Sequence, residues 1–273
     1  MPRKRLTQLF PALIPLRQAQ RRLFCLVGMR LDRRRYAGTQ WGAVLPQRVF
    51  ADSSPLLNPD TGFDLRYQWN KVHNIQLAVD KLDRLLIRPG ETFSFCWAVR
   101  DADKVTPYKD GLIVVDGKLT TAPGGGLCHL TNLLFWLFLH SPLTIVERSG
   151  HREKDFPDPG DQPAGTDATF AAGWLDLKVR NDTGRTYQLL LEVANGTLSG
   201  SLQADRREAV EYQVRNRDLR YYRQGEAVYQ EVDVLQQRLS RLTGELLGET
   251  TLYHNRCRIG YPLPAGVTLQ EKG

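Results

Sequence analysis

The sequence is poor in cysteine, and its cysteines are never close together. It has 273 residues and four cysteines, which form no CxxC pair: Cys25, Cys96, Cys128 and Cys257. Structural zinc sites and disulfide-rich folds require closer or denser cysteines than these. We therefore expect no metal site and no cofactor, and we expect the thiols to stay free, as in a reducing compartment.

The chain also lacks a long apolar run and a cleavable leader. Its main apolar run, residues 133–139, is far shorter than the roughly 20 residues that span a bilayer. Residues 9–16 are apolar, but prolines interrupt them and arginines follow, where a secretory leader has a small-residue cleavage site. These features predict a cytoplasmic protein that associates, at most, peripherally with the inner membrane face.

Acidic residues are scarce at the N-terminus. Residues 1–35 hold ten Lys or Arg and one acid, Asp32, in a chain of net charge +7, so the remainder is close to neutral. Such a basic segment suits an anionic membrane surface, and the simpler alternative is a solvated helical face. Nucleic acid is not an expected partner, because the segment has no interleaved aromatic residues and no recognition motif. Nothing in the sequence indicates an oligomeric state.

The remaining composition, 41% hydrophobic and 25% charged, is that of an ordinary globular protein. The pattern of elements divides the chain into a basic, partly helical arm (residues 1–45), a core domain (46–204) and a small β-rich C-terminal appendage (205–273). In the core, apolar residues recur every three or four positions between residues 70 and 86, which predicts a helix with one buried face that Pro89-Gly90 ends.

Strand patterns flank and follow the glycine-rich centre of the chain. Strands are predicted at residues 92–95, 111–115, 143–148, 166–170, 174–179 and 187–193, the last of which turns at Asn195-Gly196 into 197–202. The predicted fold class is α+β. N-terminal helices and a cysteine-bearing helix pack on a mostly antiparallel β-sheet in this prediction.

Three consecutive glycines lead almost directly into a cysteine. Gly124, Gly125 and Gly126 precede Cys128, and the apolar run behind it predicts a buried helix with Cys128 in its first turn. The helix dipole and the unsatisfied backbone N–H groups there stabilise a thiolate and can hold an oxyanion. The three glycines and His129 form the expected oxyanion and substrate loop. The alternative is a structural cysteine behind a tight turn.

A cysteine nucleophile needs a base and a third group that orients the base. His151 is the best candidate base, because it follows a predicted strand in a loop that can face a helix start. His129 is adjacent to Cys128, but consecutive helical side chains point about 100° apart, so it is badly placed to serve the sulfur. Asp167 is the expected orienting acid, since small residues surround it, and Asp176 is the alternative acid.

Four sequence blocks carry a resemblance to a known family. They are NIQLAVDKLDRLLIRPGETFSF (74–95), PGGGLCHLTNLL (123–134), IVERSGH (145–151) and GTDATFAAGWLDLKVRN (165–181). On these blocks the chain resembles the VanW family, over about residues 70–200, with similarity that continues toward both termini. Family members usually have Gln directly after the cysteine, whereas this chain has His129.

The resemblance implies cell-wall peptide chemistry in the setting of glycopeptide (vancomycin) resistance. On this hypothesis Cys128 serves an acyl transferase or hydrolase of the L,D-transpeptidase type, which acts on peptidoglycan peptides or their precursors. The alternative hypothesis is a non-catalytic accessory protein that binds muropeptides or a partner at the inner membrane face.

Overall fold

The computed structural model describes residues 14–58, 62–115, 118–154, 162–263 and 266–271. Within these ranges there are four helices, α1 (Ile14–Leu31), α2 (Arg66–Leu82), α3 (Phe95–Ala98) and α4 (Leu127–Leu139). The strands are β1 (Arg35–Tyr36), β2 (Gln47–Pro55), β3 (Leu86–Ile87), β4 (Glu91–Ser94), β5 (Asp110–Val115), β6 (Lys118–Pro123), β7 (Thr144–Glu147), β8 (Glu153–Lys154), β9 (Lys178–Arg180), β10 (Tyr187–Ala194), β11 (Thr197–Ala204), β12 (Val210–Gln224), β13 (Ala227–Ser240), β14 (Leu246–Ile259) and β15 (Leu269–Glu271).

The strands form four sheets, with the orders β1-β4-β9-β7, β2-β11-β10-β3, β15-β12-β13-β14-β8 and β5-β6. Most neighbouring strands are antiparallel, and the parallel pairs β1–β4, β12–β15 and β8–β14 are two or three residues long. The α+β class and the mostly antiparallel sheets are therefore confirmed.

Helix α4 is the centre of the hydrophobic core. Every side chain from Leu133 to Leu139 is buried, as the unbroken apolar run predicts. The helix packs on α2 and on strands β2, β11 and β12. Gly200 of β11 allows close approach, because a Cβ there would lie 3.0 Å from Leu133 and 3.1 Å from Leu137. Burial of this helix on all sides fixes the position of its first turn.

One local prediction is confirmed by the backbone, and a second is confirmed except for its end. The predicted helix with one buried face is α2, which begins at Arg66 and buries Ile75, Val79 and Leu82. Its predicted end at Pro89-Gly90 is wrong, because the backbone is extended at Asp83 and has a positive φ of 61° at Arg84, and Leu86 belongs to β3. The predicted hairpin joins β10 to β11, and Asn195 at its turn has a positive φ of 51°. This conformation is the one that two-residue hairpin turns require.

The strand predicted at residues 166–170 is wrong. This segment joins no strand of the described structure, because side chains of α4 take the place of a neighbouring strand. Thr131 donates its hydroxyl to the carbonyl of Ala168 at 2.6 Å, and the Ala168 N–H donates to Asn132 at 2.8 Å. The strand predicted at 174–179 is shortened to β9, because an Ala171–Leu175 bridge closes a turn before it.

Helix α1 and the C-terminal strands β12 and β13 both contribute buried side chains. Met29 of α1 is buried, and Val214, Val232 and Val234 of the C-terminal strands belong to the main hydrophobic core. The predicted division at residues 45 and 204 stays a prediction. Among the described helices, none is both long and apolar enough to cross a membrane.

The glycine turn before α4 depends on direct contact between two backbones. A Cβ on Gly125 would lie 2.2 Å from the carbonyl carbon and oxygen of Gly111. We expect Gly125→Ala to lower the free energy of unfolding by about 3 kcal/mol, since neither backbone has room to move. Gly42→Ala is the matched control, because nothing lies within 4 Å of its Cβ position. Equal thermal unfolding temperatures for the two variants would contradict this account of the turn.

Candidate active site

The glycine turn is built by hydrogen bonds from α2 and β5. The Asn74 side chain donates to the carbonyls of Lys109 and Gly125 at 2.9 and 3.0 Å, and it accepts from the Lys109 N–H at 2.8 Å. Gly126 follows as the N-cap of α4 with a φ of 93°, a conformation that side-chain-bearing residues rarely adopt. Cys128 is thereby placed in the first turn of α4.

The sulfur of Cys128 is surrounded by polar groups from a second segment, residues 166–170. Its Sγ lies 3.3 Å from the Thr169 hydroxyl, and the Phe170 N–H donates to it at 3.4 Å. The Phe170 carbonyl lies 3.6 Å from the sulfur, and His151 acts on the thiol electrostatically, since it lowers the pKa of Cys128. Cys128 itself is half-buried. A hydroxyl and the two backbone groups of Phe170 therefore contact one sulfur, and an imidazole influences its ionisation.

His151 connects the sulfur to a carboxylate. Its Nδ1 lies 2.7 Å from Oδ2 of Asp167, and its backbone N–H donates to the same oxygen at 2.6 Å. Since Nδ1 faces Asp167, the remaining ring nitrogen is the one available to Cys128. The two bonds to Asp167 fix both the backbone and the ring of His151, which aims the imidazole at the sulfur.

Asp167 is held by two further cations. Its Oδ1 lies 3.3 Å from Arg148 and 3.2 Å from Lys154, and both of these side chains are buried. Arg148 is fixed in turn by the Gly165 carbonyl at 2.8 Å and the Asn255 side chain at 2.8 Å. The carboxylate therefore lies at the centre of three positive or ionisable groups.

This arrangement separates the pKa values of the three groups. Burial raises the pKa of Cys128, but the interaction with His151, together with Thr169 and the Phe170 N–H, lowers it below the ordinary thiol value. Burial lowers the pKa of His151, but Asp167 and Cys128 raise it to about 9. Burial opposes ionisation of Asp167, yet His151, Lys154 and Arg148 keep its pKa well below the usual range. These directions favour a thiolate–imidazolium pair over a neutral thiol and a neutral imidazole.

The alternative acid, Asp176, lies in a different environment. It accepts hydrogen bonds from the Ser94 hydroxyl at 2.6 Å and from the Cys96 N–H at 2.8 Å. Burial raises its pKa. These partners belong to β4 and α3, and among the described contacts none joins Asp176 to His151. Asp176 stabilises the start of α3, and Asp167 is the acid that reaches the imidazole.

The oxyanion loop predicted from the sequence is only partly available. The Gly125 N–H is occupied, since it donates to the Ala122 carbonyl at 3.0 Å. In the described part of the chain, no acceptor lies within hydrogen-bond reach of the Gly126 or Cys128 N–H. These two amides, at the N-terminus of α4, are the ones that remain for an oxyanion.

His129 points away from the sulfur. Its Nε2 lies 2.7 Å from the Ser54 hydroxyl, and burial and nearby Lys71 lower its pKa to about 4. Lys71 is a feature that the sequence analysis missed. Its stem lies so close to Gly126 that a Cβ there would be 2.3 Å from the lysine Cγ, and burial lowers the pKa of its amine to about 8. A neutral histidine and a lysine therefore flank the glycine turn.

Sequence reasoning also missed the groups that complete the site. Thr169 and the Phe170 amide contact the sulfur, and Arg148 and Lys154 hold the carboxylate. Arg148 and Lys154 each lie three residues from His151 in the sequence. These basic residues on both sides of the histidine are the sequence feature that could have indicated a buried carboxylate nearby.

Two surface clefts of about 540 and 510 Å³ lie elsewhere on the protein, and neither is lined by Cys128, His151 or Asp167. A peptide substrate needs an open approach to the sulfur, and neither of these clefts supplies it. Among the described residues, no cluster of three or more His, Cys, Asp or Glu could hold a metal ion.

The thiolate–imidazolium pair predicts the reactivity of the cysteines. At about pH 6, far below the ordinary thiol pKa of about 8.5, iodoacetamide should alkylate Cys128 much faster than the other cysteines. Burial raises the pKa of Cys25, and that of Cys96 to about 12, while Cys257 is buried. Peptide mass spectrometry of quenched samples gives each rate.

His151→Gln should slow this alkylation at least about tenfold, since each unit of pKa change alters the thiolate fraction about tenfold. His254→Gln is the matched control, because His254 also binds two carboxylates, Asp233 and Glu231, but on the surface. Unchanged alkylation of Cys128 in the His151 variant would contradict the ion pair.

Asp167→Asn should cost about 3–5 kcal/mol of unfolding free energy at neutral pH, because Arg148 and Lys154 would stay buried without their counter-charge. The depressed Asp167 pKa means that this stabilisation is present above about pH 4 and is lost as the pH falls. Asp233→Asn, at a carboxylate that is 25% exposed, should cost less than about 1 kcal/mol. Urea unfolding measures both, and equal losses would refute the special position of Asp167.

Comparisons with known proteins identify the family of the chain. The family model described as "VanW like protein" matches residues 70–203, which include Cys128, His151 and Asp167. The chain is 50% identical to the "Vancomycin B-type resistance protein VanW" of Enterococcus faecalis (strain ATCC 700802 / V583), over 272 residues and 99% of both chains. It is also 34% identical over 113 residues to the "Uncharacterized protein YoaR" of Bacillus subtilis (strain 168), which covers 41% of this chain and 36% of that protein. No solved structure matches the chain at a significant level. The chain belongs to the VanW family.

Proposed function

We propose that this protein is a cysteine-dependent acyl transferase or hydrolase, similar to an L,D-transpeptidase, that acts on peptidoglycan peptides or their precursors. The observation that carries the proposal is the arrangement of groups at the start of α4. Thr169 and the Phe170 N–H contact the Cys128 sulfur, His151 lowers the pKa of the thiol, and Asp167 holds the His151 ring at 2.7 Å. In the proposed roles, Cys128 is the nucleophile, His151 is the acid and base, and Asp167 orients His151 and stabilises its positive charge.

The first half of the reaction is acylation. The Cys128 thiolate attacks a peptide carbonyl carbon, and the resulting oxyanion binds the N–H groups of Gly126 and Cys128. As the tetrahedral intermediate collapses, the carbon–nitrogen bond breaks and the leaving amine takes the proton of the His151 imidazolium. The products are a thioester on Cys128 and a neutral imidazole.

The second half releases the acyl group. Neutral His151 takes a proton from the acceptor, which is an amine for a transferase or water for a hydrolase. The acceptor forms a new bond to the carbonyl carbon, the carbon–sulfur bond breaks, and the thiolate–imidazolium pair is restored. His151 is suited to both steps, because contact with the Asp167 carboxylate stabilises the imidazolium each time it forms.

The peptidoglycan substrate is proposed from the family. The similar Enterococcus faecalis protein is named as a vancomycin B-type resistance protein. Since the chain matches it over 99% of both lengths, we extend a role in vancomycin resistance to this protein. Peptide stems of peptidoglycan contain the amide carbonyls that the proposed acylation requires.

Substrate access requires the segment that covers the sulfur to move. Thr169 and Phe170 contact Cys128 directly, and the segment is held to Ser149 by the Thr169 N–H at 2.7 Å. A peptide carbonyl that reaches the sulfur must therefore displace these contacts.

A non-catalytic role is the second candidate, and the position of one cleft favours it. The 510 Å³ cleft lies between β2, α4 and β12. The rings of Phe50 and His140 stack at 3.7 Å along it, and Arg215 and Arg241 also line it. Aromatic rings and arginines suit the sugar rings and carboxylates of a muropeptide, and this cleft is open without any movement.

Peptide mass spectrometry separates the two candidates. The purified protein is incubated with tetrapeptide and pentapeptide stems, quenched with acid and digested. An acyl adduct on Cys128 that is absent in Cys128→Ser and retained in Cys257→Ser is the expected result. Saturable peptide binding without an adduct, equal in wild type and Cys128→Ser and weakened by Arg215→Gln, would overturn the catalytic proposal in favour of binding.

A further inference from the structure

Helix α1 is attached to the rest of the protein mainly through one face. Arg22 forms an ion pair with Asp103 at 2.9 Å, and the sulfurs of Cys25 and Cys96 lie 4.0 Å apart. Met29 is buried, with its sulfur 3.9 Å from the Ser94 hydroxyl. At 100° per residue these three positions fall within an arc of about 60° on the helix. They define the inner face of α1.

The opposite face of α1 is apolar and exposed. Its exposed side chains are Leu16 (68%), Leu23 (58%), Phe24 (64%), Val27 (39%) and Leu31 (79%). They fall within an arc of about 100° that is centred roughly opposite the inner face. One polar residue, Gln20, lies among them and accepts a hydrogen bond from Arg17. We call these five apolar side chains the outer stripe.

A contiguous apolar stripe of this kind marks an interaction surface, because large exposed apolar patches are unfavourable in water. Single exposed leucines are common and need no explanation. Five large apolar side chains on one face of one helix are a different case. The stripe faces away from the core. If α1 rotated to bury the stripe against the protein, the inner face would become exposed instead.

The charges beside the outer stripe identify its partner. Arg17 and Arg21 lie on one side of the stripe and Arg30 on the other, and the run Arg33 to Arg35 follows the helix. Arg21 also lies over the ring of Trp174 at 5.5 Å, and that tryptophan is 64% exposed. An apolar stripe flanked by arginines, with an exposed tryptophan nearby, is the composition of a helix that lies in a membrane interface.

A second copy of the chain fits the stripe less well. A symmetric dimer across this face would place the arginines of one α1 against those of the other. Like charges facing each other across an interface are unfavourable, whereas an anionic lipid surface neutralises them.

We propose that the outer stripe of α1 binds an anionic lipid bilayer, with the helix flat in the interface and the body of the protein docked beneath it through Arg22, Cys25 and Met29. The apolar side chains enter the headgroup region, and the flanking arginines contact lipid phosphates. Binding therefore has an electrostatic part that salt screens and an apolar part that salt does not. This proposal is independent of the chemistry at Cys128.

Vesicle flotation of the full chain tests it. We expect binding to vesicles in which phosphatidylglycerol replaces half of the phosphatidylcholine, and at least about tenfold weaker binding to phosphatidylcholine alone. Raising the salt from about 0.1 M to about 0.5 M should weaken binding without abolishing it. Leu23→Glu combined with Leu31→Glu should weaken it at least about tenfold, because two leucines leave the interface.

The matched control is Leu242→Glu combined with Leu247→Glu, at apolar side chains of the β13–β14 hairpin that are 93% and 52% exposed. It adds the same negative charge and should reduce binding far less. Unfolding temperatures of both variants should equal that of the wild type, since all four positions are exposed.

Three results would overturn the proposal. They are wild-type affinity in the Leu23 and Leu31 variant, equal affinity for neutral and anionic vesicles, and a dimer in light scattering that only the Leu23 and Leu31 variant fails to form. The last result would assign the outer stripe to a second copy of the chain.

Discussion

The Asp167 carboxylate receives two hydrogen bonds from His151 and ion pairs from Arg148 and Lys154. The side chains of Asp167, Arg148 and Lys154 are buried, and that of His151 is partly buried. Because water solvates these charges poorly, each one depends on the opposite charges beside it for stabilisation. The rest of the site follows from this arrangement. The position of His151, the charge on its ring and the lowered pKa of Cys128 all depend on the one carboxylate.

The second constraint is the burial of α4. Because this helix is apolar on every side, the core fixes its axis and therefore the position of its first turn. That turn also carries Thr131 and Asn132, which hold the segment that brings Asp167, Thr169 and Phe170 to the sulfur. Core packing and site geometry are thus set by the same element, and a change in one must affect the other.

The two surfaces of interest belong to different parts of the molecule. The candidate active site lies where the N-terminus of α4 meets the loops after β7 and before β9, whereas the outer stripe lies on a helix attached by one face. The chemistry proposed at the sulfur does not involve α1, and the lipid binding proposed for α1 does not involve the sulfur. Between them lies α3, whose Cys96 contacts α1 and whose amide binds Asp176.

The sequence by itself determined the elements with strong local signals. The unbroken apolar run required a buried helix, the glycines required a turn before Cys128, and the dipeptide Asn195-Gly196 required a hairpin. These signals are local because steric limits and burial of adjacent residues produce them. The sequence also singled out Cys128, His151 and Asp167 as candidates, although it left Asp176 open.

Only the tertiary structure decided which acid reaches the imidazole, which amides remain for an oxyanion, and how residues 166–170 are held. Each of these depends on contacts between residues that are far apart in the chain, such as Arg148 with Asn255 and Gly125 with Gly111. Residues 166–170 have the composition of a strand, but side chains of α4 supply their hydrogen bonds instead of a neighbouring strand. The pattern of residues within one segment cannot predict which residues of a distant segment will contact it. The candidate site consists mainly of such long-range contacts.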